Sequence, residues 1–395
     1  MKSSAEAVII GGGCMGASLA WHLARRGLTD VVLLEREPAL GAASTGRNAG
    51  GVRHQFSNEA NIRLSIESIA LFEQFEQEVG SPIDFHQHGY LFLLSSDASM
   101  EAFRRNVALQ RALGVTVDVL TPHEARHLAP GLAIDGIVGA TFCAKDGIAD
   151  PNGVTMGFAR GAVALGAEVV RECEVTAVRT SGGRVVGVAT SRGPIDAPIV
   201  VDAAGAWAGQ VAALAGLDVA VAPLRRHIFI AQPAEPGAWE HLEGRSDAPV
   251  PPNRIMVIDF ETTFYFHREG AGLLFGMGDP AEASGFDTTV RWDFLPRVTE
   301  VAVSRLPALA DASVSHAWAG LYEMTPDHNP IIGGSRDLAG FYVIAGFSGH
   351  GFQHSPAAGR ILADIITGHD PQFDIAPFTL ERFAAGAAGG EHYVV

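Results

Sequence analysis

The chain has 395 residues, 47% of them hydrophobic and 18% charged, which is enough to bury a large interior and fits two interleaved domains better than one core. A formal net charge of −16 with only 28 Lys plus Arg argues against nucleic acid, because a phosphate-binding face must be basic. No apolar run reaches the roughly 18–20 residues that cross a bilayer.

A small anionic ligand needs only one local arginine, so the charge balance does not exclude it. The stretch 8–13 is too short, and too poor in preceding basic charge, for a secretory signal. Cys14, Cys143 and Cys173 are too widely spaced for a disulfide framework or a metal knuckle. A cytoplasmic location is the expectation.

Residues 7–10 form a short apolar run that ends in Gly11-Gly12-Gly13, as a buried parallel strand does before a tight turn. Helical spacing follows over 17–26, closed by Gly27. Residues 30–35 read as a second buried strand. Strand, glycine turn, helix and strand within about thirty residues make a βαβ unit. Residues 59–79 predict one long amphipathic helix, with Ile62, Ile66, Ile69, Phe72 and Phe75 on its apolar side. Beyond it come a strand at 90–94, a helix over 154–165, a strand over 168–178, a hairpin turn at Ser181-Gly182-Gly183 and a strand over 199–203. Residues 218–319 are strand-rich, with strands at 255–260, 263–267 and 273–275. A strand at 341–345 and a helix after Gly351 look like a return to the first domain. An Ala/Gly-rich tail occupies 384–390.

Gly11-x-Gly13-x-x-Gly16 sits between the first strand and the first helix. The first glycine permits the turn, the second lets backbone approach a pyrophosphate, and the third lets the helix pack on the strand. Free N–H groups at the helix start then face the phosphates. Glu35, nineteen residues past Gly16, ends the next strand where an acid can take ribose hydroxyls. Together these predict a dinucleotide site. Two further glycine-dense loops, Ser44-Thr45-Gly46-Arg47-Asn48-Ala49-Gly50-Gly51-Val52-Arg53 and Gly346-Phe347-Ser348-Gly349-His350-Gly351, suit an extended cofactor whose ring and phosphates are held by different segments.

With those loops, Ala203-Ala-Gly-Ala-Trp207, Tyr322-x-x-Thr-Pro-Asp327-His-x-Pro330 and Pro377-Phe-x-x-x-Arg-Phe383, nearly the whole chain resembles the D-amino acid oxidase/sarcosine oxidase family of FAD-dependent oxidoreductases. Gly-Gly-Val-Arg-His-Gln-Phe at 50–56 is most similar to the β-type subunits of sarcosine oxidase and proline dehydrogenase. The resemblance implies an α/β plus α+β architecture. A Rossmann-like FAD-binding domain (1–80, 146–217 and 320–395) would interleave with an antiparallel-sheet substrate domain (81–145 and 218–319).

By the same resemblance, FAD would lie on Gly11, Gly13, Cys14, Met15, Gly16, Glu35 and Arg36. It would also meet Ser44, Thr45, Arg47, Asn48, Ala49, Gly50 and Gly51, with Val175, Ala204, Gly205, Trp207 and Gly320 further along. Gly346, Phe347, Ser348, Gly349, His350, Gly351, Phe352 and Gln353 would follow the ring. Arg53 would bind a substrate carboxylate through its planar fork, Tyr265 would line the substrate pocket, and His350 and Gln353 would border the flavin's pyrimidine edge. The implied reaction is oxidation of the C–N bond of a small amino acid or N-alkyl amino acid. A hydride would pass to flavin N5, and the resulting imine would hydrolyse. The other class left open is a flavin-bearing subunit or assembly factor with little turnover of its own.

Three departures bear on this. Gly320 stands where monomeric sarcosine oxidases attach FAD through cysteine, so non-covalent FAD is expected. Leu274 stands near the place of a lysine that assists oxygen, which leaves oxygen and a respiratory or partner carrier both open as acceptor. Gln353 replaces a second carboxylate-binding lysine. Homo- or hetero-oligomers stay open too. His123-Glu124-Ala-Arg-His127 spells H-E-x-x-H, but Pro122 and Pro130-Gly131 bound its helix closely and no third ligand follows, so no metal is expected. His86 and His88 lack anything to complete a site.

Overall fold

The computed structural model describes residues 1–383 and 390–394; the rest of the Ala/Gly-rich tail lies outside the described residues. Ala7–Ile10 and Val31–Leu34 are buried at every position, as continuous apolar strands are when both faces of a sheet are covered. They pair in parallel, joined by the crossover helix Cys14–Arg25. A six-stranded sheet grows around them in the order Ile331–Gly334, Phe341–Ala345, Ile199–Asp202, Ala7–Ile10, Val31–Leu34, Glu168–Val170. Its pairs are parallel except the first, which is antiparallel.

Alternate side chains serve the two faces. Ala7 and Ile9 join the core under Cys14–Arg25, Pro151–Ala164 and Gly351–Thr367. Val8 and Ile10 join the core beneath a three-stranded antiparallel sheet of Val175–Ser181, Arg184–Thr190 and Ile195–Asp196. From Ala7–Ile10 the chain moves one way to Val31–Leu34, and Ile199–Asp202 lies on the other side. The strand order therefore reverses there, and the crevice beyond those carboxyl ends is where a parallel sheet takes ligands.

A second, eight-stranded sheet runs Ser313–Met324, Ala222–Gln232, Gly272–Met277, Phe264–Glu269, Met256–Asp259, Tyr90–Leu94, Gly139–Cys143, Asp118–Leu120. Leu91, Leu93, Val257 and Phe266 face a core shared with the helix Leu295–Arg305. Tyr90, Phe92, Met256 and Ile258 face the opposite way. Ser313–Met324 crosses the expected 319/320 boundary. Among the described residues no helix is long and apolar enough to cross a membrane.

Two expectations need correction. Residues 59–79 form two helices, Glu59–Glu73 and Phe75–Val79, parted at Gln74; the break turns Phe75 onto Phe158, 4.8 Å away edge to face. Residues 168–178 are two strands in different sheets. Glu168–Val170 pairs with Val32–Leu34, and Val175–Ser181 pairs with Arg184–Thr190; between them Glu172, at φ 53°, redirects the chain. Periodicity alone sees neither break, because both sides stay apolar.

The helix Cys14–Arg25 sits against the strand so closely that a Cβ on Gly16 would lie 2.0 Å from the Gly11 carbonyl oxygen. Gly16→Ala is therefore expected to cost about 1–3 kcal/mol by overpacking, read from denaturant midpoints. Gly285→Ala, whose methyl meets open space, should change stability by less than about 0.5 kcal/mol. Equal midpoints for the two variants would contradict the close packing.

Candidate active site

At the crevice, Gly11 adopts φ 115°, and a Cβ there would come 2.4 Å from the Ala203 carbonyl oxygen. Gly13 caps the helix without any side-chain hydrogen bond, and the first turn carries no acid, so its N–H groups and partial positive charge are left for an anion. The Glu35 carboxylate accepts the N–H groups of Gly12 and Glu37, both at 2.8 Å. Beside it the Arg36 guanidinium lies 4.2 Å over the Trp207 ring, and Trp207 stacks on Phe286.

Two further acids sit in this region, and burial pushes both carboxyls upward. Asp202 goes well above its ordinary value; one of its oxygens accepts the Ala204 N–H at 3.0 Å, and the other is buried with no partner among the described residues. Glu323 is raised to about 7 by burial, although it accepts the Gly346 N–H at 3.0 Å. A protonated carboxyl donates a hydrogen bond, so Asp202, and Glu323 below about pH 7, do not repel a pyrophosphate as carboxylates would.

Residues 44–51 are stapled on both sides. Thr45 Oγ1 accepts the Cys14 N–H at 3.2 Å on the helix side. On the second sheet, Ser44 Oγ donates to the Leu321 carbonyl at 2.7 Å and the Arg47 guanidinium to the Ala319 carbonyl at 2.9 Å. Trp318 Nε1 donates to the Arg47 carbonyl, and His267 Nε2 bonds the Ala49 carbonyl at 3.1 Å. Asn48 closes the turn by accepting from Gly50 N–H at 2.6 Å. This glycine-dense segment is a fixed shelf between the two sheets.

Above the shelf opens a cleft lined by residues of the eight-stranded sheet and of the helix start after Gly349. Of the residues expected at a site, it brings together Cys14, Ser44, Thr45, Arg47, Asn48, Ala49 and Gly51 with Arg53, Tyr265 and Gly320. Gly349, His350, Gly351, Phe352 and Gln353 complete that set. Arg36 and Trp207 line a neighbouring depression, which shares Ser44, Arg47 and Leu321 with the cleft. Gly11, Gly13, Met15, Gly16, Glu35, Gly50, Val175, Ala204, Gly205, Gly346, Phe347 and Ser348 line neither. Val175 opens a strand two residues past Cys173, whose N–H donates to the Glu35 carbonyl.

Arg53 is buried at 4% exposure, and no carboxylate pairs with it among the described residues. Its guanidinium donates to the Gln55 and Tyr393 carbonyls and meets His350 Nε2 at 3.1 Å. It lies 4.1 Å over the Phe56 ring. Gln353 Oε1 accepts the Arg53 N–H at 2.7 Å, so that side chain supports the arginine. Burial first, then the Arg53 charge, hold His350 well below its ordinary value; a neutral ring can accept from the guanidinium. Behind them Asp146, fully buried, takes the His54 N–H at 2.8 Å, its ring Nδ1 at 2.7 Å and Gln55 Nε2 at 3.2 Å. The Cys143 thiol is 3.9 Å from the same ring.

Sequence reasoning missed the cleft's upper wall: Tyr90, Arg226, Ile228, Met256 and Ile258, with Glu323 at the shelf. A signal existed in the alternation of Ala222–Gln232, where Arg226 shares a face with Ile228 and Ile230. In the H-E-x-x-H stretch, the Glu124 carboxylate is taken by a capping box with Thr121, and both histidines are exposed.

A family model described as FAD dependent oxidoreductase matches residues 6–365. The chain belongs to that family. It is 30% identical over 400 residues to mouse (Mus musculus) mitochondrial sarcosine dehydrogenase, covering 97% of this chain but 42% of that protein, so it spans less than half the length of that relative. Against sarcosine oxidase subunit beta of Rhizobium meliloti it is 30% identical over 392 residues, 98% of this chain and 90% of the relative. The crystal structure of L-proline dehydrogenase from P. horikoshii superposes with a TM-score of 0.89 at 34% identity, covering 98% and 100% of the two chains. FAD is the cofactor of this oxidoreductase family. The crevice fits it: the uncapped helix start, the cradle that a Cβ at Gly11 would fill and the unpartnered Asp202 oxygen are all features a dinucleotide would satisfy.

With its carboxyl near 7 folded and 4.5 ordinarily, Glu323 keeps a proton that the unfolded chain has already lost between those values. FAD-free protein should therefore lose stability as pH rises through 4.5–7 and level off above. Glu323→Gln should remove roughly 2 kcal/mol of that fall, allowing for partial exposure. Denaturant unfolding at pH 5, 6, 7 and 8 measures it, and an unaltered slope in the variant would refute the assignment.

Proposed function

We propose that this protein oxidises the C–N bond of a small amino acid or N-alkyl amino acid, held by its carboxylate on Arg53. The observation that carries this reading is a buried guanidinium in the cleft that forms no ion pair with any acid among the described residues. A charge taken out of water at such cost is retained where an anion arrives to meet it. The relatives named above, for sarcosine and for L-proline, share an amine bearing a carboxylate, which fits that anchor.

The FAD-binding part would comprise 1–80, 146–217 and 320–395, and the substrate-binding part 81–145 and 218–319. Gly320 offers no side chain for attachment to the ring, which supports non-covalent FAD. When bound, FAD supplies the acceptor for two electrons and a hydride. Arg53 orients the carboxylate, and neutral His350 holds the guanidinium without adding a second charge. Ile228, Met256 and Ile258 keep the reacting carbon away from water. Burial holds the phenols of Tyr90, Tyr265 and Tyr322 above their ordinary values, so they keep their protons near neutral pH and act as donors. The amine must then bind unprotonated. Leu274, buried beside Ile228 and Ile230, puts an apolar group where the resemblance placed an oxygen-assisting lysine. A carrier or partner chain is thus the acceptor to set beside oxygen.

Arg53→Met should raise the KM of carboxylate substrates roughly 100-fold, the worth of a lost charge-assisted pair, while the 450 nm flavin absorbance per chain persists. Anaerobic bleaching of the flavin by secondary and primary amino acids, then reoxidation by oxygen or a dye, provides the assay. Unchanged KM values would remove Arg53 from the role, and bleaching by no amine would favour a subunit without turnover. Where bleaching occurs, its rate should rise about tenfold per pH unit below the substrate amine's pKa. A flat profile between pH 6 and 9 would mean that the bound amine is deprotonated by a group on the protein.

A further inference from the structure

Three arginines line the cleft. Arg47 is bound to the Ala319 carbonyl, Arg53 is the proposed anchor, and the proposed function gives Arg226 nothing to do. It stands on the eleven-residue strand Ala222–Gln232, whose successive side chains point to opposite faces. On one face Arg225 is paired with Glu282 at 2.9 Å and Asp287 at 2.6 Å. On the other, Arg226 lines the cleft with Ile228. Two adjacent arginines thus meet opposite fates, one saturated with acids and the other turned into a pocket.

Among the described residues no carboxylate pairs with Arg226. Its Nε is buried without a partner, and one terminal nitrogen makes a single bond of 3.3 Å to the Arg225 carbonyl. The guanidinium lies 5.1 Å over the Tyr322 ring. The charges of Arg226 and Arg53 both act on the Tyr322 phenol, and Arg226 acts on Tyr265 as well. Tyr322 therefore stands within reach of two positive centres, with Tyr90 and Tyr265 as further hydroxyls nearby. Like charges sharing one cleft raise each other's cost unless anions come between them, and among the described residues no acidic side chain pairs with Arg226. Glu323, the acid on the shelf, is turned to the Gly346 N–H.

We propose that Arg226 binds a second acidic group of the substrate. The substrate class is then an amino acid with a further carboxylate, on its side chain or on its nitrogen substituent, spanning the cleft from Arg53 to Arg226. This rests on the carboxylate role of Arg53. The planar fork of arginine suits a carboxylate through two parallel hydrogen bonds, and the apolar walls at Ile228, Met256 and Ile258 suit the methylene groups between two acids.

The test is a difference-absorbance titration of the FAD-loaded protein with unreactive acids, acetate and propionate against malonate, succinate and glutarate, with melting-temperature shifts as a second readout. In the parent protein the best dicarboxylate should bind at least 30-fold more tightly than the best monocarboxylate. Arg226→Gln should shrink that ratio below threefold by weakening the dicarboxylates alone, and Arg226→Lys should restore part of it. Equal affinity for both sets in the parent, or an equal loss of both in Arg226→Gln, overturns the proposal; so does no effect of any dicarboxylate on either readout. Arg53→Met separates the two readings: lost monocarboxylate binding there, with no selective dicarboxylate loss in Arg226→Gln, sinks only the second, whereas unchanged monocarboxylate binding sinks the Arg53 anchor and the two-arginine span with it. In turnover, N-carboxymethyl amino acids, aspartate and glutamate should exceed glycine, sarcosine and proline in kcat/KM by a similar factor.

Discussion

Burying the Arg53 guanidinium removes a full charge from water without an ion pair to any acid among the described residues, and several elements are occupied in bearing that cost. Backbone carbonyls from Gln55 and Tyr393 take its N–H groups, the Phe56 ring lies against its face, and a neutral His350 accepts from it. Its own backbone N–H is held by Gln353, which ties the anchor to the first turn of the helix Gly351–Thr367. Asp146 stands one layer back and fixes His54 and Gln55 through three hydrogen bonds. The buried His54–Cys143–Asp146 group, whose ligand atoms lie within 4.8 Å of each other, is accounted for by this supporting work. Glu391, and after it Asp146, also lend negative potential to Arg53 without forming an ion pair with it.

The acids of the crevice follow a complementary logic. A chain with a net charge of −16 must still receive a doubly charged pyrophosphate, and carboxylates at that point would oppose it. Burial resolves this by pushing Asp202 and Glu323 toward their protonated forms, while the helix start at Gly13 offers uncapped N–H groups. Glu35, the acid expected to take ribose hydroxyls, lies at the edge of the glycine loop and is held by two backbone N–H groups. Charge is thereby kept off the phosphate path and concentrated as positive groups in the cleft.

What the sequence could reveal depended on how local each signal was. The βαβ unit was legible because a buried strand, a glycine turn and a helix are each specified within a few residues. The shelf at 44–51 and the turn at 346–351 were legible as glycine density, and Arg53 as a motif residue. The break at Gln74 and the redirection at Glu172 were not, because each follows from a distant partner: Phe158 for the first, and two different sheets for the second. Arg226 escaped for the same kind of reason. Nothing in Arg225-Arg226 says which side chain meets Glu282 and Asp287; the register of the eight-stranded sheet decides it.

That register also explains how one strand can serve stability and recognition at once. Phe229 on one face of Ala222–Gln232 enters the core shared with Leu295–Arg305, while Ile228 and Ile230 on the other pack with Leu274, Tyr265 and Ala49 of the shelf. Slipping the strand by one residue would send Arg225 into the cleft, pull Arg226 toward Glu282 and expose Phe229 to the shelf. The core on one face therefore fixes which arginine the pocket receives. Because the pairing with Ser313–Met324 sets Arg226 opposite Gly320 and Leu224 opposite Tyr322, the same ladder positions the cation, the phenol it overlies and the side-chain-free position beside the shelf as one rigid unit.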